Sequence, residues 1–583
     1  MTSPDSVKQS SVTAATSPRL QFGTAGLRGP VGPGLGEMNV TTATRATAGV
    51  AQWLKLNRTP LRRDGRYAVA VGYDARYGSQ AMARATAETF AGAGFEVTLI
   101  AEPAPTPVLA WLVRDRGLDA GVQITASHNP ASDNGYKLYL QGGSQLISPA
   151  DREIEAAIAE QPATAGDIPR SEAKNVDLAT VSGYVTDICR LVATGEQSVL
   201  HPRRQLRIVY TPLHGVGGNA LEWALRESGF GDVHTVASQR WPDPTFPTVD
   251  FPNPEEPGAT DALLDEAKRL DADLAIALDP DADRCMIGVR TDSGEGAHNY
   301  RMFRGDETGP LLAHRVMGQR GASKQKNPKN DPPVVATTIV SSQMLGYMAK
   351  ARGWDYVETL TGFKHLARAA DNRPGQLAFA YEEAIGTCPA PHIVADKDGI
   401  ATALIAAAWA AELKAAGRSL VEEWTDLQKA YGIFDTAQVS ARYATVEEAE
   451  ARIAEVVANP PDRLGGLAVI AEPLVGTPGV RLTSKGSAVW SSSGGSKKPD
   501  AEATASTDPN PDAGEQALQV RVVARPSGTE PKAKFYLEVS WPNSAAQAGG
   551  FVIDDATLAA RRKEVSALLD AVRRDVQELA GTQ

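Results

Sequence analysis

The sequence predicts three similar α/β domains, each built on a mixed, mostly parallel sheet, followed by a smaller α+β domain. Three observations carry this reading. Apolar runs of strand length alternate with amphipathic stretches of about a dozen residues, the signature of βαβ units. The alternation restarts twice, at Leu206 and at Val334, so the pattern repeats without repeating the residues. After about residue 432 it gives way to a unit with two strand-like segments flanked by helical ones. A chain of 583 residues is also too long for one core.

In the first unit, "YAVAVGY" from Tyr67 reads as a buried strand, "SQAMARATAETFAGAG" as a helix and "FEVTLIAE" as a strand. "TPVLAWLVRDRG" is the next helix and "DAGVQIT" the strand after it. The second unit runs "LRIVYTPLHG", "NALEWALRESG", "VHTVAS", a long proline-rich loop, "ATDALLDEAKRLD" and "ADLAIALD". The third, after a Lys/Asn/Pro linker at 320–333, runs "VVATTIV", "SSQMLGYMAKARG", "DYVETL" and "QLAFAYEE". The last contains "VEEAEARIAEVVA", "QVRVVAR", "AKFYLEVS" and a helix from Asp555. The expected boundaries are a disordered tail at 1–20 and domains at 21–200, 201–310, 311–431 and 432–583. A low-complexity insert at 484–517 has too little to bury to fold.

Composition narrows the function. A net charge of −11 offers no basic surplus for nucleic acid or anionic membrane. Apolar runs stay well short of the roughly 20 residues a membrane span requires, and the N-terminal twenty residues lack the apolar core of a secretory signal. Cys189, Cys285 and Cys388 are widely spaced and form no metal or disulfide pattern, which fits a reducing cytoplasm.

The unusual residues fall where strands end, which is where open α/β sheets bind ligands. Ser127 and His128 follow "GVQIT" directly. No G-x-S-x-G elbow surrounds the serine, so a hydrolase nucleophile, an ordinary turn and a phosphoryl carrier all remain open. "ALDPDADRC" sets Asp279, Asp281 and Asp283 in one loop. Such crowding repels unless a cation compensates, and an open site of three carboxylates suits Mg²⁺ with substrate phosphates. "HGVGGNA" resembles a dinucleotide turn, but the following strand brings no acid for a ribose, which leaves a close-packed helix start. In "YEEAIG" one glutamate is expected to pair with a cation and the other to accept hydrogen bonds from sugar hydroxyls. "DKDG" at 396–399 is either a helix-start turn or part of the site. "ARPSGTEPK" offers Arg525, Ser527, Gly528 and Thr529 either as a phosphate nest or as a plain hairpin loop.

Taken in order, "FGTAGLRG", "TASHNP", "DPDADR", "GDETG", "TGFKHL", "YEEAIG" and "RPSGTEPK" span residues 22–532 and resemble the α-D-phosphohexomutase superfamily. The flanks "FPTVDFPNPEE" and "VADKDG" are most similar to its phosphoglucomutase/phosphopentomutase branch. The resemblance implies a four-domain, heart-shaped enzyme with one cleft. It implies phosphorylation of Ser127, with Mg²⁺ held by that group and by Asp279, Asp281 and Asp283. It further implies Arg28, Lys137, His128 and Lys397 in the chemistry, with the last two as rival proton carriers. Arg284, Thr361, Gly362, Lys364 and Glu382 would bind substrate, and Arg525, Ser527, Gly528 and Thr529 its non-reacting phosphate. The implied reaction converts glucose 1-phosphate to glucose 6-phosphate through glucose 1,6-bisphosphate, in a monomer or weak homodimer. A phosphopentomutase is the main alternative, ahead of a phosphomannomutase or a glucose-1,6-bisphosphate synthase. One departure stands out: Ala384 replaces a serine that several branches carry two residues after the glutamate, so one hydroxyl contact is missing.

Overall fold

A computed structural model describes residues 20–22, 26–176, 179–291, 299–322, 331–484, 517–527, 531–543 and 553–581. The expected tail (apart from Leu20), residues 485–516 of the expected insert, Gly528 and Thr529 lie outside these described residues.

Among the described residues, four sheets follow one another along the chain. In the first, strands Ala68–Tyr73, Glu96–Ile100 and Ala120–Ile124 run parallel, as their intervening helices require. Strand Asp133–Leu140 then pairs antiparallel with Ala120–Ile124 and carries Leu27–Pro30 on its far side. This strand opens on "DNG", and the chain reverses in the preceding loop, 129–132.

The second and third sheets repeat this plan. Ile208–Thr211 is flanked in parallel by Val233–Thr235 and Leu274–Leu278, and Cys285–Arg290 returns antiparallel. Val334–Thr338 is likewise flanked by Asp355–Thr359 and Leu377–Glu382, with Gly386–Cys388 returning. Each sheet thus has a parallel centre and an antiparallel hairpin at one side, and in each the hairpin loop holds a chemical motif. The fourth sheet, six strands from Gly432–Arg442 to Lys532–Pro542, is antiparallel throughout and backed by helices Val446–Ala458 and Asp555–Ala580.

Helix Gly399–Ala415 is the pivot of the core. It is apolar on every side, so it must be enclosed, and it packs against helices and strands of both the second and third sheets. Asp398 caps it, accepting from the Ala401 N–H and from Tyr184 Oη. "DKDG" therefore starts a helix, and its Lys397 also stands beside Asp283. Among the described residues no single helix is long and apolar enough to cross a membrane.

Candidate active site

Ser127 sits at the end of Ala120–Ile124, buried, with a left-handed backbone (φ 54°) that is unusual for a side chain with a Cβ. Several contacts hold that conformation. The Ser127 N–H donates to Thr125 Oγ1, which itself donates to Asp74 Oδ2. Arg76 threads beneath the loop, donating Nη2 to the carbonyls of Ser127 and Asn129 and Nη1 to those of Pro130 and Asp133. Its guanidinium also faces Asp74 and lies 4.9 Å from the ring centroid of Phe246, in the proline-rich loop of the second unit. One consequence is that neighbouring side chains converge: Ser127 Oγ lies 3.3 Å from His128 Nδ1 and donates to Asp279 Oδ2 at 2.9 Å.

The aspartate loop is fixed by backbone contacts on three sides. The Thr106 N–H reaches the Asp281 carbonyl and the Val216 N–H reaches that of Pro280. The Gly399 N–H reaches Ala282, and Arg284 bridges Gly386 beside a bond from the Cys285 N–H to Ile385. Glycines permit this closeness. A Cβ on Gly215 would stand 2.3 Å from Pro280, and one on Gly399 would stand 2.4 Å from the Arg284 carbonyl. "HGVGGNA" is therefore the close-packed helix start, with Gly215 and Gly217 against the aspartate loop.

Asp279, Asp281 and Asp283 are buried, with potential ligand oxygens all within 4.8 Å of one another. Lys137, on strand Asp133–Leu140, lies 2.7 Å from Asp281 and 2.9 Å from Asp283. Burial works against ionisation, but Lys137, Lys397 and Arg284 outweigh it and hold Asp283 far below the usual carboxylate range. At Asp279, burial and the two neighbouring aspartates prevail and push it well up. Oδ1 of Asp281 and Oδ1 of Asp283 accept no hydrogen bond among the described residues. Three converging carboxylates with two unused buried oxygens fit a hard divalent cation.

Cations ring this loop. Arg28 Nη1 donates to Asn129, orienting it along the serine loop. Lys397 Nζ lies 3.4 Å from Asp283. Burial favours its neutral form, but Asp283, Asp396 and Glu382 raise its pKa instead. His128 is the opposite case, held well below 6.5 by burial and by Arg284 and Arg28. The imidazole is therefore neutral near pH 7 while the ammonium stays charged, which separates two candidates that sequence leaves level.

The glutamates also separate. Glu383 Oε2 accepts from the hydroxyls of both Thr338 and Ser341, whereas Glu382 faces Arg284 at 4.0 Å. Gly362 (φ 105°) starts the short helix Phe363–Leu366, whose Phe363 ring lies under Lys397. Lys364 is buried with Asp151 as its charged neighbour, and Thr361 is half-buried; no hydrogen bond or ion pair joins either to the triad. In the fourth sheet, Arg525 and Ser527 end the first strand of the hairpin Gln519–Pro526/Lys532–Pro542. Arg525 lies over Tyr536, and Ser527 is buried with its N–H on the Lys532 carbonyl. The burial-raised pKa of Tyr536 also feels Glu383 and Glu382, which places this hairpin near the third-sheet glutamates.

Sequence reasoning missed Asp74, Arg76 and Thr106. The first two sit in "GYDARYG", a strand end like the others. That position was their only signal.

Fold and site together define a phosphotransferase. Residues 19–165, 183–294 and 304–431 match the families described as phosphoglucomutase/phosphomannomutase, alpha/beta/alpha domains I, II and III. A "Probable phosphomannomutase" of Haemophilus influenzae is 35% identical over 510 residues, 86% of this chain and 93% of its own. The phosphopentomutase of Homo sapiens is 35% identical over 431 residues, 71% of this chain and 69% of its own. Among solved structures, pp63/parafusin (phosphoglucomutase) from Paramecium in its open form has a TM-score of 0.62 at 18% identity. That match covers 97% of this chain and 96% of the other, a likeness of fold. The chain belongs to the α-D-phosphohexomutase superfamily and is an intramolecular phosphotransferase of the isomerase class.

Proposed function

We propose that this enzyme interconverts glucose 1-phosphate and glucose 6-phosphate, with Ser127 as the phosphoryl carrier and glucose 1,6-bisphosphate as the intermediate. The observation that carries the reading is Ser127 Oγ, hydrogen-bonded into an aspartate triad and ringed by Arg28, Lys137, Arg284 and Lys397.

In the forward half-reaction the P–Oγ bond of phospho-Ser127 breaks as a bond forms to the sugar 6-hydroxyl. The hydroxyl proton leaves to His128, whose neutral ring accepts it and returns a proton to Ser127 Oγ. The bisphosphate turns over in the cleft, and the 1-phosphoryl group passes back to Ser127, leaving glucose 6-phosphate. Positioning and charge neutralisation carry phosphoryl transfer, and Arg28, Arg284, Lys137 and Lys397 supply them. Asp279, Asp281 and Asp283 would hold Mg²⁺ beside the phosphoserine, adding charge neutralisation for the transferring group when bound. Glu382 accepts from sugar hydroxyls, with Thr361, Gly362 and Lys364 alongside. Arg525 and Ser527, with Gly528 and Thr529, grip the phosphate that is not reacting.

Pentose 1-phosphates are a second reading, favoured by the human relative's name and by Ala384, which leaves one hydroxyl fewer for a hexose. Phosphorus NMR with glucose, mannose and ribose 1-phosphates, Mg²⁺ and trace glucose 1,6-bisphosphate separates these by relative rate. Ser127→Ala is expected to lose both turnover and stable phosphorylation. Full activity in that variant would sink the mechanism.

A further inference from the structure

The proline-rich loop of the second unit, "WPDPTFPTVDFPNPEEPGAT", returns to Arg284 at Glu255. The segment there is well fixed. Pro252 and Pro254 are buried, and Asn253 Oδ1 accepts from the Glu255 N–H while its carbonyl accepts from the Glu256 N–H. Glu255 Oε2 stands 3.9 Å from Arg284 Nη1, with 31% of the side chain exposed. Glu382 Oε1 stands 4.0 Å from Nη2 of the same guanidinium. The two carboxylates thus bracket Arg284, one from the second sheet's loop and one from the third's.

Neither is close enough for a hydrogen bond, and among the described residues neither accepts one from any other group. Glu383, next in sequence to Glu382, by contrast accepts two hydroxyl hydrogen bonds on Oε2. A carboxyl group has about four acceptor positions when ionised and keeps acceptor capacity when protonated. Two carboxyls with open acceptor positions thus stand on either side of one guanidinium. Beyond Glu382, the cleft lacks the hydroxyl that Ala384 does not supply.

We propose that Glu255 is a second acceptor for sugar hydroxyls, from the wall opposite Glu382, and that it sets which sugar phosphate is preferred. The inference rests on the phosphosugar-mutase reading above. It gives the second unit a part in choosing the sugar, beyond holding the aspartate triad.

The test uses the full chain with Glu255→Gln and Glu255→Ala. Both are assayed for kcat and KM with glucose 1-phosphate and ribose 1-phosphate, and for phosphoserine at Ser127 by mass spectrometry. Glu255→Gln is expected to raise KM about tenfold for the preferred sugar, the loss of one hydrogen bond to a sugar hydroxyl. It should leave kcat within threefold and Ser127 phosphorylation intact. Glu255→Ala should raise KM further and shift the glucose-to-ribose ratio of kcat/KM, because the two sugars present different hydroxyls. KM unchanged within twofold for both sugars would overturn the proposal. So would a joint collapse of kcat and phosphoserine with no change in sugar preference, which would make Glu255 only a prop for Arg284. A wild-type enzyme that converts no sugar phosphate would sink the mutase reading itself. An active wild type indifferent to Glu255 would sink this inference alone.

Discussion

Arg76 offers the sharpest test of how the serine loop is held. Its two Nη atoms serve four carbonyls, those of Ser127 and Asn129 at 2.6 Å, Pro130 at 2.7 Å and Asp133 at 3.1 Å. Arg76→Lys keeps the charge beside Asp74 but exchanges a planar fork for a point with three donors. An ammonium turned towards Asp74 reaches no more than two of these carbonyls. Each buried acceptor left unpaired costs about 1–3 kcal/mol, so the loop conformation seen here loses about 3 kcal/mol. At 1.36 kcal/mol per tenfold, that is about a 150-fold fall in kcat/KM. The assay is phosphorus NMR turnover, with thermal unfolding to confirm that the variant is folded. Phe246→Leu removes only the ring under the guanidinium and should cost about twofold to fivefold. A folded Arg76→Lys enzyme within threefold of wild type would refute the claim that this arginine sets the loop.

Two further outcomes follow from buried carboxyls. Asp306, which accepts from the Ser342 N–H, is pushed up to about 7, chiefly by burial and also by Glu383 and Glu538. A carboxyl raised by folding binds its proton more tightly in the native state, so stability is full below about pH 4 and falls as pH rises through 7. Asp306→Asn should remove that fall, so wild type should lose about 3 kcal/mol relative to the variant between pH 5 and pH 8; parallel unfolding free energies would contradict it. For the aspartate triad, Mg²⁺ added after chelation should restore turnover and stabilise the fold by about 2.7 kcal/mol at a hundredfold excess over Kd. Asp283→Asn should abolish most of that gain, and an unfolding midpoint indifferent to Mg²⁺ would remove the metal assignment.

Much of this architecture was legible because burial leaves a trace in sequence. Strands enclosed on both faces read as continuous apolar runs, and the motifs stand out as polar clusters at their ends. Strand direction leaves no such trace: nothing in "DNGYKLYL" marks the antiparallel return of Asp133–Leu140, from which Lys137 reaches the triad. Positive φ at Ser127, which brings His128 onto the hydroxyl, has no sequence signal because no glycine marks it. Arg76 looks like any arginine in a turn until its carbonyl partners, more than fifty positions away, fold over it. Glu255 likewise gains its meaning only when Arg284 and Glu382 arrive beside it. The opposite shifts of His128 and Lys397 come from burial and charged neighbours, which the fold alone supplies.

The aspartate loop belongs to no single sheet, since it hydrogen-bonds to Thr106, Val216, Ile385 and Gly399. Its key contacts are distant in sequence. Ser127 meets Asp279 across 152 positions and Lys137 meets Asp283 across 146, so neither contact forms until the first and second units have docked. The units also share one continuous apolar core, running from Ala68 to Phe434. Catalytic competence in this chain is therefore a property of assembly. A partly folded intermediate can hold most of its secondary structure and still be chemically inert.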